Sequence, residues 1–201
     1  INYNFNKYQK PSPQILLNGK EKDLSWQTML GYNYIDSETR ITTNQDFTSF
    51  SPVKTLRQEN FSVNTQRNLY WRTGTNYTIS EKSNFLLNYN MNLGNDRNVF
   101  EATTNGENID YQNSGVGKTK NQNHELSLQY KTKLDTLGRT LDVTGFGNLF
   151  HQNPISSSNA KDVISNESYF NIGTSDFDLK NYYLKYDFNI PFEKYKFSIA
   201  T

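Results

Sequence analysis

Asn84-Phe85-Leu86-Leu87-Asn88-Tyr89-Asn90-Met91-Asn92-Leu93 decides how the rest of the chain is read. Phe85, Leu87, Tyr89, Met91 and Leu93 fall on one phase, and Asn84, Asn88, Asn90 and Asn92 on the other. Side chains in a strand alternate between faces, so this stretch makes a ribbon with one apolar and one wet side. The period is 2 rather than 3.6, which excludes an amphipathic helix.

Working outward, the same pattern returns along the chain. Ile1, Tyr3 and Phe5 share a phase, as do Leu24, Trp26, Thr28, Leu30, Tyr32 and Tyr34. Pro11, Pro13 and Asn18-Gly19 mark a connection between those two ribbons. A long ribbon over 59–79 carries Phe61, Val63, Leu69, Trp71, Thr73, Tyr77 and Ile79. Leu126, Leu128, Tyr130 and Leu134 alternate with Glu125, Ser127, Gln129, Lys131 and Lys133. Leu141, Val143 and Leu149 follow, although Gly145 and Gly147 share their phase while Phe146 and Phe150 take the other. Tyr182, Leu184, Tyr186, Phe188 and Ile190, then Tyr195, Phe197 and Ile199, complete about eight strands in antiparallel hairpins.

Composition narrows the class. Of 201 residues, 34% are hydrophobic, low for a packed interior, while 14% are aromatic, which suits strands with aromatic-lined faces. With 21 Lys+Arg against 20 Asp+Glu there is no electrostatic case for a nucleic-acid partner. The absence of cysteine excludes disulfides, thiolate metal sites and cysteine nucleophiles. No run approaches 18 apolar residues, which rules out a transmembrane helix but not a transmembrane barrel.

Connections alternate in length: short turns near 80–83, 135–139 and 191–194, and long polar loops near 36–58, 95–122 and 151–178. Short turns at one end and long loops at the other are the pattern of an outer-membrane barrel, and strands of about ten residues cross its apolar band. Trp71 and Tyr77 bracket such a band, and 59–67 is then a strand extension that places Arg67 outside the hydrocarbon. The expected fold is an all-β antiparallel transmembrane β-barrel, with 1–201 as one arc of a larger barrel. A soluble sandwich or hairpin solenoid, its apolar phase turned inward, is the rival.

Three segments resemble the Bacteroidetes outer-membrane β-barrel proteins related to TonB-dependent receptors: 76–85 with its Ser80-Glu81-Lys82-Ser83 turn, 130–141 with Asp135-Thr136-Leu137-Gly138-Arg139, and 182–191 with Lys185, Asp187 and Pro191. The resemblance runs from about residue 24 onward and rests on structural turns. It implies a barrel of typically 22 strands behind a plug domain, importing a scarce nutrient with energy from the TonB system. No plug or TonB box is recognisable, and the chain closes on Ala200-Thr201 without a terminal aromatic. Both departures point to a fragment.

In this reading Trp26, Leu30, Trp71, Tyr77, Phe85, Leu87, Tyr89, Leu126, Leu128, Tyr130, Leu184, Tyr186 and Phe188 face lipid. Asn88, Asn90, Gln129, Lys131, Lys185 and Asp187 face the lumen or a plug. The partners expected are the outer-membrane bilayer, a plug domain and the TonB system or another outer-membrane protein. Alternatives are a barrel scaffold in a secretion or surface complex, and a soluble or surface-attached β-rich binding module.

Other motifs carry less. Gly115-Val116-Gly117-Lys118-Thr119 resembles the end of a phosphate-binding loop but has Gln112 where that pattern needs glycine, and reads as a loop tip. His124 and His151, with Asp110 and Glu125 as conceivable helpers, read as exposed loop histidines rather than metal ligands, and Asn105–Asp110 as a turn. No glycine-flanked serine makes a nucleophile elbow, so no catalytic residue, cofactor or metal is expected. Asn60-Phe61-Ser62, Asn76-Tyr77-Thr78 and Asn166-Glu167-Ser168 are chance glycosylation matches in an asparagine-rich chain.

Overall fold

A computed structural model describes residues 2–9, 12–49, 54–191 and 196–200. They form one antiparallel sheet of ten strands. In chain order these are β1 (Asn2–Gln9), β2 (Gln14–Glu21), β3 (Leu24–Phe47), β4 (Lys54–Ser80), β5 (Ser83–Gly106), β6 (Ile109–Lys133), β7 (Thr140–Asp162), β8 (Ser168–Thr174), β9 (Phe177–Pro191) and β10 (Lys196–Ala200). Strands β3 to β7 form a meander in sequence order. On one flank β2 pairs with the lower half of β3 and β1 with its upper half. On the other, β9 pairs with the lower half of β7 and β8 with its upper half. On each flank two strands thus share one strand position, giving eight strand positions across the sheet. The sheet does not close on itself.

The break between β8 and β9 faces Asn153 and Pro154 of β7. Pro154 lacks a ladder donor, yet its carbonyl still accepts from Ser175 N at 3.0 Å. On the opposite flank Pro13 O accepts from Tyr32 N at 3.0 Å.

Several sequence expectations are corrected here. The stretches 36–58, 95–122 and 151–178 are mostly strand, not long loops: β5 and β6 run to a two-residue turn at Glu107–Asn108, and β7 to a turn over 163–167. Residues 14–21 are strand β2 rather than a connection, with its hairpin turn at Lys22–Asp23. Residues 115–119 lie inside β6, paired with both β5 and β7, which excludes a loop tip and leaves no strand-to-helix junction for a phosphate loop. His124 and His151 lie on β6 and β7, not on loops. For the three long stretches the physical reason is the same: where both faces of a strand are polar, the apolar period disappears although the ladder continues.

The short turns at 80–83 and 135–139 are present. Ser80 opposes Ser83 across Glu81–Lys82. In the second, the Asp135 carboxylate accepts from Leu137 N at 2.9 Å and Arg139 N at 3.2 Å, pairs with Arg139 Nε at 3.0 Å, and is followed by Gly138 at φ 86°. That left-handed φ explains the glycine. The turn expected near 191–194 lies, beyond Pro191, outside the described residues.

No hydrophobic side chain is buried among the described residues, and thirty large ones are exposed. The sheet is a single layer, unlike the inward-packed sandwich that was the rival expectation.

Strand β6 supplies a test of the ladder. A Cβ at Gly115 would sit 2.6 Å from Ser157 O, a backbone atom that cannot swing aside, whereas at Gly117 it would meet only Asn98 Cβ at 4.0 Å. Gly115→Ala is expected to destabilise the folded protein by about 1–3 kcal/mol in denaturant titration, and Gly117→Ala to leave the midpoint nearly unchanged. At the β7–β8 turn, amides of Ser165 and Ile164 donate to Asp162 and hold its carboxyl below the usual range. The folded value is depressed, so this turn's stabilisation is complete above the ordinary carboxylate value and is lost as pH falls through the lower folded one. Hydrogen exchange at Ile164 and Ser165, corrected for intrinsic rates, is expected to accelerate only in that acid window, and an Asp162→Asn chain to lose the dependence.

Candidate functional site: the two faces of the sheet

The register determines which side chains share a face. Leu24 opposes Tyr77, Tyr77 opposes Phe85, Phe85 opposes Tyr130, Tyr130 opposes Val143, and Val143 opposes Tyr186. Counting by two from this row, all thirteen residues expected to face lipid lie on one face, and Asn88, Asn90, Gln129, Lys131, Lys185 and Asp187 all lie on the other.

On the first face the apolar band carries no Lys, Arg, Asp or Glu from β3 to β9. It covers Leu24–Tyr34, Leu69–Tyr77, Phe85–Leu93, Leu126–Tyr130, Val143–Leu149 and Tyr182–Ile190. Several polar atoms within or beside it find partners in the sheet. Trp71 Nε1 donates to Thr28 Oγ1 at 2.8 Å, Tyr89 Oη and His124 Nδ1 are 2.8 Å apart, and Thr73 Oγ1 donates to Gln27 O at 3.1 Å. Internal satisfaction is the condition hydrocarbon imposes.

The band also runs obliquely. On β3 it begins at the Leu24 row and rises to Tyr34, whereas on β9 the same row, at Tyr186, is the middle of a run from Ile190 to Tyr182. Its centre slides about five residues over five strand-to-strand steps, which at ~3.4 Å per residue and ~4.8 Å between strands is a tilt of about 35°. Ten residues at that tilt rise about 25–30 Å, close to the apolar height and strand tilt of outer-membrane barrels. A flat slab of hydrocarbon crossed by tilted strands produces such an oblique stripe.

Above the band the first face becomes charged, with Arg67, Arg97, Lys118, Lys120 and Lys180. His151 Nδ1 lies there too, 2.8 Å from Asp178 Oδ1 and 3.6 Å from Asp176 Oδ1. His124 and Glu125 occupy adjacent positions on opposite faces, so Glu125 cannot assist a metal on His124. Among the described residues there is no cluster suited to a metal ion.

The second face is polar and cross-linked. Asn90 Nδ2 donates to Glu125 Oε1 at 3.0 Å, Asn148 Nδ2 to Asn123 Oδ1 at 2.7 Å, and Tyr70 Oη to Gln14 Oε1 at 3.3 Å. Toward the short-turn end, the Asp142 carboxylate accepts from Gln129 Nε2 at 3.0 and 2.9 Å and pairs with Lys131 Nζ at 3.3 Å, while Lys185 Nζ pairs with Asp187 at 2.7 Å. Asp142 was absent from the residues expected on this face, although its even phase beside Leu141 and Val143 carries that signal. The phase inversion at Phe146 and Phe150 places an aromatic strip here: Phe146 stacks on Tyr183 at 4.9 Å, and Phe150 meets Phe177 edge-on at 6.0 Å.

No family model matches the chain, and no curated protein matches it. Among solved structures, the chain is similar to the ferric yersiniabactin uptake receptor FyuA from Yersinia pestis, with a TM-score of 0.48 and 15% identity over 84% of this chain. The match spans 26% of that receptor's length.

The Asp142 cluster is testable by a double-mutant cycle on denaturation midpoints. Asp142→Leu and Lys131→Leu are expected to couple by about 0.5–1 kcal/mol, since the lysine is half exposed and its pairing screened. Strict additivity would show that the pair contributes nothing.

Proposed function

We propose that this chain is an arc of an outer-membrane β-barrel of the kind related to TonB-dependent receptors, and that the barrel serves uptake of a nutrient across the outer membrane. The observation that carries the membrane reading is the uncharged apolar band, oblique to the strands by about the tilt of a barrel, on a sheet with no buried core. The uptake reading rests on the three turn segments of the Bacteroidetes-like resemblance, of which Asp135–Arg139 is the most specific. In this reading the thirteen residues from Trp26 to Phe188 face lipid, and Asn88, Asn90, Gln129, Lys131, Lys185 and Asp187 line a wet interior. The strand extensions stand outside the cell, a plug domain and the TonB system are the partners, and no residue is assigned a catalytic role. A barrel scaffold in a secretion or surface complex shares every feature of the membrane reading and differs only in moving no solute.

Adjacent positions separate the faces. Leu87→Arg places a charge on the lipid side and is expected to cost about 2–4 kcal/mol of insertion near the midplane, while Asn88→Arg, one residue away, is expected to be tolerated. Equal folding of both variants into lipid vesicles would contradict the facing. For uptake, a strain lacking the protein is expected to lose growth on one scarce nutrient from a panel, regained with wild type and not with Leu87→Arg. Unchanged growth on all of them, with normal insertion, would favour the scaffold.

A further inference from the structure

Just above the apolar band, on the same face, four cations cluster on three neighbouring strands. Arg67 is the first same-face position above Leu69 on β4, and Arg97 the second above Leu93 on β5. On β6, Lys120 and Lys118 are the third and fourth above Leu126. Arg67 and Lys120 both oppose Asn95, and Arg97 opposes Lys118 directly. Like charges facing each other across a ladder disfavour the pairing. Yet no ion pair among the described residues engages Arg67, Arg97, Lys118 or Lys120. The carboxylate in that row, Asp36, is two strands from Arg97, with Thr65 between them. Arg67 instead lies over the Tyr34 ring, 5.3 Å from its centroid.

We infer that these four side chains hold the phosphorylated headgroup of an anionic lipid whose acyl chains lie on the apolar band below. The inference rests on the lipid-facing reading proposed above and adds to it a lipid of particular chemistry at a particular place. Three observations select a lipid. The patch is continuous with an uncharged apolar face, and the lowest cation, Arg67, is one side-chain row above it. At the tilt derived above, the four stand about 5–15 Å above the hydrocarbon edge, from within the headgroup layer, about 5–7 Å deep, to just outside it. The directly opposed Arg97 and Lys118 lack a protein counter-ion that a phosphate between them would supply.

Trp71 lies two same-face positions below Arg67 and reports on lipid in contact with it. In full-length protein reconstituted in vesicles, the Trp71 signal is taken as the difference from a Trp71→Phe variant. Quenching by brominated phosphatidylcholine is compared with quenching by brominated phosphatidic acid. Both lipids are expected to quench, with phosphatidic acid preferred, and the preference is expected to fall about fivefold for each cation removed in Arg97→Gln and Lys118→Gln. Arg57→Gln, higher on the extension and already paired with Glu59, is expected to leave it unchanged. No quenching by either lipid would overturn the lipid-facing reading itself. Quenching by both with no preference, or a preference indifferent to Arg97→Gln and Lys118→Gln, would overturn the headgroup site alone. Loss of preference with millimolar inorganic phosphate, but not with chloride at equal ionic strength, would overturn the lipid in favour of a free-anion site.

Discussion

A backbone that crosses hydrocarbon must satisfy every N–H and C=O within the protein, because no water is there to do it. In the proposed membrane reading, this sheet meets that demand with strands. The ladder from β3 to β7 is continuous through the apolar band, with one irregularity at Thr78–Ser80 by the short turn; on the flanks β2 begins just after Pro13, and β8 gives way to β9 opposite Asn153 and Pro154, near the level where the apolar face ends. Two prolines cost little there, since water can reach a broken ladder outside the band and could not inside it. On the proposed lipid side Trp71 is paired with Thr28 and Tyr89 with His124.

The same ladder explains how strands with no buried hydrophobic side chain among the described residues keep one register. Alternation ties each strand's register to the side on which its apolar set must lie, since a one-residue slip would turn Phe85, Leu87 and Tyr89 to the wet face and Asn88 and Asn90 to the apolar one. In the proposed membrane reading that slip would expose amides to hydrocarbon, and the environment would supply the specificity that side-chain packing supplies in a soluble domain. The wet face adds its own constraints through Asn90–Glu125, Asn123–Asn148 and the Asp142 cluster, each bridging neighbouring strands.

Much of the sheet was legible because the apolar period marks it directly: Asn84–Leu93, Leu24–Tyr34 and Tyr182–Ile190 all carry strict alternation. What alternation reports, however, is a difference between two faces, not the presence of a strand. Asn95–Asp96–Arg97–Asn98 is polar on both faces, so the pattern stops there while β5 continues to Gly106. Thr103 and Thr104 kept a β-forming composition that could have signalled the continuation. Strand β2 was hidden for a different reason, because Pro13 and Asn18-Gly19 carry turn chemistry while Gly19 in fact lies beneath the Trp26 ring. The oblique course of the band needed the register, which no single strand's sequence contains.

The central claim is that one phase of Asn84–Leu93 meets lipid and the other water. The chain has no cysteine, so single cysteines placed in turn at each of these positions and spin-labelled in bilayers read it directly. Collision with oxygen, which concentrates in hydrocarbon, is expected to peak at 85, 87, 89, 91 and 93. Collision with a water-soluble nickel chelate is expected to peak at 84, 88, 90 and 92. Equal accessibility of the two phases to both reagents, or the opposite alternation, would contradict the account.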